Sequence, residues 1–514
     1  MPKKSSRKKR KRRWHVSGVP CLRGKRKKEG AHSPDGGAVA AAVDAFVVWL
    51  LARAEEDGVG RLYFLARDAY PYWKSAKAYC DAYGLKIDCR YLFASRYTLR
   101  VPLYAEDMGN ALELIFQKGL KVTLRMLLSR SGLEGEAAAG FVRRHAEELA
   151  ALVFREGAES GEDDAPLLDA PLGAAAHARL KGFFSRCGDY LELVRLASLK
   201  KREAAMGYLA QEGVLDDVRI GIVDSGWSGS LQTSIDALRR IGGAALPAEG
   251  YYFGLYSHPS GIDESRRHAF WFAPAKRLGT SDRPTEGARR ALNPRCGRYG
   301  GKARLRSFPS NKTSSMNDAE GKSGICSPSR ICSLIRKMNF NSCLFEAVCA
   351  APGGTARGYR LSGGRWLPEL TGSRAAKSGI AKKKRFFKEL EAKTKNRIAA
   401  HASWKGCRRM SRSEIRSVER GLSRLMAHPT RAVAEYYGSL EFSDDMLDAE
   451  ADCLAPAFTK DGFKSLYLAG KLRKLCGEKP RPPISAWPEG SIVRGGKGRL
   501  KLAEYHAYKL RGEI

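Results

Sequence analysis

The sequence predicts an α/β fold with a mainly parallel sheet, a helical cap insertion, a helical C-terminal region and a disordered basic N-terminal tail. Short apolar runs at 61–66, 89–94, 218–223 and 250–256 suit buried strands, and segments with helical spacing alternate with them. Apolar residues make up 43% of the 514 residues, which is enough to build a core. Residues 1–30, by contrast, hold 14 lysines and arginines and one acid, so we expect this part to stay solvated.

These patterns divide the chain into four parts. Residues 1–37 form the basic tail, and residues 38–275 form the α/β body. Within the body, a mainly helical insertion at about 107–212 separates two strand candidates and is predicted to close a site from water. Residues 276–337 are rich in basic residues, Gly and Ser but lack periodicity, which indicates a linker or poorly ordered insertion. Residues 338–514 are predicted to be mainly helical.

The cysteines and the apolar segments favour a cytoplasmic protein. The segment from Val39 to Ala52 is too short for a membrane span and contains Asp44, so it predicts a buried or amphipathic helix. No secretory signal is evident. Twelve cysteines without any Cys-x-x-Cys spacing predict reduced thiols and give no indication of a zinc site. The basic segments would also allow contact with nucleic acid, or with the inner face of a membrane as a peripheral protein.

The turn that follows the third strand candidate predicts a ligand site. The apolar run at 220–223 ends in Asp224, and a Gly/Ser turn then leads into a helical stretch. Glycines allow close approach of the backbone, and a helix N-terminus presents free N–H groups suited to phosphate. An ordinary βα turn with Ser230 as its N-cap stays an equally weighted alternative. The predicted phosphate-binding residues of this turn are Ser225, Gly226, Ser228, Gly229 and Ser230.

Two other strand candidates end in polar residues. Arg67 and Asp68 follow the first, and Ser95 and Arg96 follow the second. Because ligands bind at the carboxyl ends of parallel strands, we expect these residues to share one cleft with Asp224. Arginines bind phosphate bidentately, while an aspartate binds sugar hydroxyls or a metal, or acts as a base. Arg67, Ser95 and Arg96 are therefore predicted ligand-binding residues, and Asp68 and Asp224 predicted catalytic ones. A local ion pair between Arg67 and Asp68 stays the alternative.

Several common enzyme motifs are absent from the sequence. There is no Gly-x4-Gly-Lys-Ser/Thr phosphate loop, no Gly-x-Gly-x-x-Gly after a strand and no Gly-x-Ser-x-Gly elbow. Standard ATPase, dinucleotide-binding and serine-hydrolase functions therefore lose support. Glu346 and His258 are acid or base candidates, although structural roles are more common for such residues.

Several blocks of the sequence resemble a known family. They include Leu62-Tyr-Phe-Leu-Ala-Arg-Asp68, Tyr91-Leu-Phe-Ala-Ser-Arg96, Val223-Asp-Ser-Gly-Trp-Ser-Gly229, the segment from Gly250 to Pro259, and Leu344-Phe-Glu-Ala347. Together they resemble the C-terminal module of bacterial predicted hydrolases of the haloacid-dehalogenase superfamily, which accompany glycosyltransferases in surface-polysaccharide clusters. The superfamily's Asp-x-Asp-x-Thr/Val motif is absent, so the resemblance does not extend to an aspartyl-phosphate mechanism.

The residues and the resemblance together predict a protein of polysaccharide assembly that binds a phosphorylated sugar or nucleotide-sugar, with hydrolase or transferase chemistry. The cofactor is not specified by the sequence, and magnesium stays open. The alternatives are a non-enzymatic scaffold that binds nucleic acid or anionic membrane through residues 1–30, and an inactive truncated remnant.

Overall fold

The protein was analysed as a computed structural model, which describes residues 36–117, 119, 122–154, 167–257, 263–274, 330–372, 379–443, 451–458, 485–496 and 498–510. The predicted tail, except for its last two residues, and most of the predicted linker lie outside the described residues, as does His258. The linker's last residues, 330–337, belong to a helix.

A parallel sheet lies at the centre of the fold, as predicted, and it has five strands, one more than the four candidates in the sequence. Its strands are β1 (Arg61–Leu65), β2 (Asp88–Leu92), β3 (Ile220–Trp227), β4 (Glu249–Leu255) and β5 (Arg267–Ala269). Their spatial order is β2-β1-β3-β4-β5, and every neighbouring pair is parallel. The third strand is longer than predicted, because pairing with β4 continues to Trp227. Asp224 therefore lies within the strand rather than just beyond its end.

In the described part of residues 36–241, ten α-helices precede, separate or follow the first three strands of the sheet. They are α1 (Gly36–Glu56), α2 (Tyr70–Tyr83), α3 (Arg96–Arg100), α4 (Met108–Ile115), α5 (Leu124–Arg130), α6 (Gly135–Arg144), α7 (Ala146–Val153), α8 (Ala174–Phe184), α9 (Gly188–Gln211) and α10 (Ser230–Ile241).

The described residues from 330 onward form helices and two antiparallel strand pairs, so short strands accompany the helices in the part predicted to be mainly helical. The helices are α11 (Arg330–Met338), α12 (Ser342–Cys349), α13 (Ile380–Ala400), α14 (Trp404–Cys407), α15 (Arg412–Met426), α16 (Arg431–Gly438), α17 (Pro488–Arg494) and α18 (Gly498–Leu510). The strand pairs are β6 (Ala356–Ser362) with β7 (Arg365–Leu370), and β8 (Glu441–Phe442) with β9 (Asp452–Cys453).

Both faces of the sheet are buried. Side chains alternate along a strand, so Leu62 and Phe64 of β1 pack with α1 and α2, while Tyr63 and Leu65 pack with α9 and α10 on the other face. This explains why the strands are nearly continuous apolar runs in the sequence. The helix that follows β1 and the helix that follows β3 thus lie on opposite faces.

Helix α1 is a core helix. It is long and apolar enough to cross a membrane by length and composition, but 78% of its most apolar window is buried inside the protein. The residue that interrupts it, Asp44, is fully buried and pairs with Arg397 of α13 at 3.0 Å. The prediction of a buried helix at this place agrees with that packing.

Helices α4 to α9 form an apolar cluster of their own, separate from the clusters on the sheet. Phe141, Phe184 and Tyr190 lie at its centre, and the rings of Phe184 and Tyr190 stack with centroids 4.2 Å apart. The chain after the predicted linker, in contrast, shares its core with the α/β body. The rings of Phe345 in α12 and Phe253 in β4 lie 4.4 Å apart, and the buried Trp487 belongs to the same cluster.

Candidate functional site

The candidate site lies at the carboxyl ends of β1 and β3. These strands are neighbours, and the helices that follow them leave toward opposite faces of the sheet. Such a reversal opens a crevice at the strand ends, and open α/β sheets bind their ligands there. Asp68 follows β1, and Asp224 lies in the second half of β3. The topology therefore places both predicted catalytic residues at the edge of the sheet where a ligand is expected.

Asp224 has an environment that favours its protonated form. Its carboxyl group accepts backbone hydrogen bonds from Ser225 and Gly226, and it remains partly accessible to solvent. Burial raises its pKa to about 7, and the negative charge of Asp68 acts in the same direction. The positive charge of Arg96 opposes this rise. Asp224 therefore exchanges its proton close to neutral pH.

Glu346 of α12 is a third carboxyl group at this site. The indole Nε1 of Trp227, the last residue of β3, donates a hydrogen bond to its Oε1. Burial raises the pKa of Glu346 to about 8, with a further contribution from the charge of Asp68. Asn341 caps α12 by accepting a hydrogen bond from Leu344 N at 2.7 Å, which fixes the start of the helix. At neutral pH Glu346 is mostly protonated and able to donate a proton.

The end of β3 has an unusual backbone that positions Trp227. Gly226 has φ +111°, and Trp227 itself has φ +68°. A Cβ atom at residue 226 would collide with the carbonyl oxygen of Gly254 in β4, so this position requires glycine. The predicted Gly/Ser turn is therefore partly strand, and its first glycine serves close packing between two strands.

The predicted arginines lie beside the carboxyl groups. Arg67 Nε is 3.7 Å from Asp68 Oδ1, which is the local ion pair named as the alternative. The carbonyl oxygen of Arg67 accepts a hydrogen bond from Ala351 N at 3.1 Å, which holds the segment after α12 against β1. The charges of Arg67 and Arg96 both lower the pKa of Glu346, so both guanidinium groups are near it. The structure thus brings Arg67, Asp68, Arg96 and Asp224 together.

Two of the predicted ligand-binding serines bind other protein groups. Ser225 is buried, and its hydroxyl lies 2.8 Å from the hydroxyl of Tyr72. Ser95 is also buried; it caps α3 by accepting from Thr98 N at 3.1 Å and donates to Ala356 O at 2.7 Å. The hydroxyl groups of Ser225 and Ser95 therefore bind neighbouring segments of the protein and hold the strand ends of the site in place.

Two serines of the β3–α10 turn, Ser228 and Ser230, are more accessible, whereas Gly229 between them is buried. Gly229, in the left-handed conformation, occupies the N-cap position of α10, so Ser230 is the first residue of the helix and not its cap. Ser228 donates to Ser230 Oγ at 3.2 Å, and Arg100 Nη2 donates to the same oxygen at 2.7 Å. Arg100 was not among the predicted site residues.

Comparisons with known proteins add nothing to the assignment of this candidate site, which therefore depends on its geometry. No family model matches the chain, and no curated protein matches it. Among the described residues, no group of three or more His, Cys, Asp or Glu side chains is arranged to hold a metal ion. The resemblance to the predicted hydrolases therefore stays a prediction from the quoted motifs.

The raised pKa values predict that stability depends on pH through the site. Asp224 and Glu346 bind protons more tightly in the folded protein than in the unfolded chain, where carboxyl pKa values are about 4. Their contribution to stability is therefore complete below about pH 4 and is lost as the pH rises through 7 and 8. Asp224→Asn should exceed the native protein in free energy of unfolding by on the order of 4 kcal/mol at pH 8, but by only about 1 kcal/mol at pH 4.5.

Urea unfolding of both proteins at both pH values measures this difference in free energy of unfolding. Because the two proteins differ only at residue 224, the contributions of all other titrating groups cancel. Glu369→Gln, at an exposed position on β7, is the matched control, and its free energy of unfolding should match that of the native protein at each pH. A difference between Asp224→Asn and the native protein that does not change with pH would contradict the assignment of a raised pKa.

Proposed function

We propose that this protein is an enzyme, a hydrolase or transferase, that binds a phosphorylated sugar or nucleotide-sugar in the crevice between β1 and β3. The observation that supports this most is the presence of two carboxyl groups with raised pKa values, Asp224 and Glu346, beside the guanidinium groups of Arg67 and Arg96. Perturbed carboxyl groups in a cleft are typical of acid–base chemistry, and arginines are suited to bind phosphoryl oxygens.

The two carboxyl groups suit different roles. Cleaving a phosphoryl or glycosyl bond requires an acid that protonates the leaving oxygen and a base that activates water or an acceptor hydroxyl. Glu346, with the higher pKa, is the proposed acid. Asp224, half ionised near pH 7, is the proposed base. Burial raises both pKa values and the negative charge of Asp68 adds to the rise; in this proposal Asp68 also binds sugar hydroxyls.

Helices α4 to α9 are proposed to cover the crevice. Arg100 of α3 donates to Gln117 Oε1, just after α4, at 3.4 Å, and to Ser230 at the start of α10. The segment after β2 is thereby linked to the β3–α10 turn. A cover at this place would exclude water and strengthen the interactions of the charged groups with a bound phosphate. The resemblance to hydrolases that accompany glycosyltransferases supports a cytoplasmic role in polysaccharide assembly.

A binding screen tests the proposal. The purified full-length protein is screened by thermal shift against sugar phosphates, nucleotide-sugars and phosphoribosyl pyrophosphate, with and without magnesium, and calorimetry then gives the Kd of each hit. Arg96→Gln should raise the Kd at least about tenfold, because it removes a charged hydrogen-bond donor to phosphate. Arg195→Gln changes another exposed arginine, paired with Glu192 on α9, and should leave the Kd unchanged.

The outcomes separate this proposal from the scaffold alternative. A selective shift that Arg96→Gln weakens supports a phosphate-binding enzyme. A flat screen together with tight, salt-sensitive binding to nucleic acid or anionic vesicles, lost on deletion of residues 1–34, would replace the enzyme by a scaffold.

A further inference from the structure

Arg100 is a buried cation without a counter-charge. Its side chain lies in the protein interior, with only 5% of the residue exposed. Its hydrogen-bond acceptors, Ser230 Oγ and Gln117 Oε1, are both neutral. In the part of the chain that the structure describes, no carboxylate lies within ion-pair distance of it, and the charge nearest in effect is the like charge of Arg96. Burial, together with Arg96, lowers the pKa of Arg100 to about 10.

A buried guanidinium group in such surroundings is unfavourable unless an anion compensates it. The buried Arg239, in contrast, has negative charge nearby: burial lowers its pKa, and the charge of Asp236 opposes that change. Arg100 instead points to the N-terminus of α10. The described side chains around Arg100 thus supply no negative charge, so its positive charge is available to a bound anion.

The start of α10 supplies matching donors. This helix has 12 residues, and its N-cap, Gly229, provides no side-chain acceptor for the N–H groups of the first turn. Those groups and the helix dipole favour an anion at this end. Ser230, the first residue of the helix, is partly exposed to solvent. The buried cation and the uncapped helix start are two separate features that face the same place.

We propose that Arg100, Ser230 and the first turn of α10 bind a second phosphoryl group, so that the substrate is a diphosphate, such as a nucleoside-diphosphate sugar, rather than a sugar monophosphate. This inference rests on the proposed function, in which Arg67 and Arg96 bind the first phosphoryl group. Arg96 and Arg100 are four residues apart on α3, so their Cβ atoms lie roughly 6 Å apart on one side of the helix, and the charge of Arg96 acts on Arg100. Two guanidinium groups at this spacing can bind neighbouring phosphoryl groups of one ligand.

Calorimetry with the full-length protein tests the inference, with uridine diphosphate glucose, glucose 1-phosphate, pyrophosphate and inorganic phosphate as probes, each with and without magnesium. The native protein should bind the two diphosphates at least about tenfold more tightly than the two monophosphates. Arg100→Gln should remove this preference and leave monophosphate affinity unchanged. Ser230→Ala should reduce the preference without touching a buried charge. Arg96→Gln should weaken both classes.

A stability measurement distinguishes a ligand-binding role from a structural one. Arg100→Gln removes an uncompensated buried charge, so its melting temperature without ligand should equal or exceed that of the native protein. Equal affinity for diphosphates and monophosphates, or diphosphate binding that Arg100→Gln does not change, would overturn the second phosphate site while leaving the proposed function in place. If none of the four probes binds the native protein, both proposals are wrong.

Discussion

Asp44→Ala is expected to lower the free energy of unfolding by about 3–5 kcal/mol, because it breaks a buried ion pair and leaves one partner uncompensated. Asp44 is fully buried in α1 and accepts hydrogen bonds from Arg397 Nε at 3.0 Å, from the Tyr79 hydroxyl at 2.6 Å and from Thr394 Oγ1 at 3.1 Å. Arg397 keeps a second acid, Glu414, at 2.9 Å, but 45% of that side chain is exposed and its charge is screened by water. The buried hydroxyl groups of Tyr79 and Thr394 would both lose an acceptor.

Urea unfolding at pH 7 measures the change in free energy of unfolding. Helix α13, which carries Arg397, offers a control. Glu391 of α13 pairs with Lys395 at 2.6 Å, but both side chains are more than half exposed. Glu391→Ala should therefore change the free energy of unfolding by less than about 0.5 kcal/mol. A loss below 1 kcal/mol for Asp44→Ala would mean that this network contributes little to holding α1, α2 and α13 together.

The sequence pattern predicted most strands of the sheet, but it did not predict their spatial order. Apolar runs located four of the five strands, because strands buried on both faces must be nearly continuous apolar segments. The short strand β5 has only three residues, two of them charged or polar at neutral pH, and left no such signal. The spatial order of the strands depends on pairing between segments far apart in the chain, which local patterns do not encode.

The same distinction applies to the candidate site. Asp68, Arg96 and Asp224 could be placed together from sequence, since each follows or ends a strand of one parallel sheet. Glu346 is more than a hundred residues further along the chain, and it belongs to the site because α12 packs against the end of β3. Ser95 and Ser225 resemble ligand-binding hydroxyls in sequence, but their partners Ala356 and Tyr72 are supplied by tertiary structure.

Asp224→Asn and Glu346→Gln are each expected to lower kcat by about 10²–10⁴-fold on the diphosphate or monophosphate substrate that the binding screen identifies. Either change removes proton transfer, whereas the arginines that bind the substrate stay in place. Substrate affinity should therefore be equal for Glu346→Gln, which is mostly uncharged already, and equal or slightly higher for Asp224→Asn, which removes a negative charge near the phosphate. Loss of kcat without a rise in Kd is the expected signature of groups that act in the transition state.

The pH profile makes this assignment specific. With Asp224 as the base, pKa about 7, and Glu346 as the acid, pKa about 8, kcat/KM should rise as pH increases toward 7, fall above 8 and reach its maximum between these values. The residual activity of Asp224→Asn should lack the acidic limb, and that of Glu346→Gln the alkaline limb. Glu369→Gln, exposed on β7, should keep the native profile. Variants that retain both limbs would show that other groups transfer the protons, because a limb disappears only when the residue that titrates there is replaced.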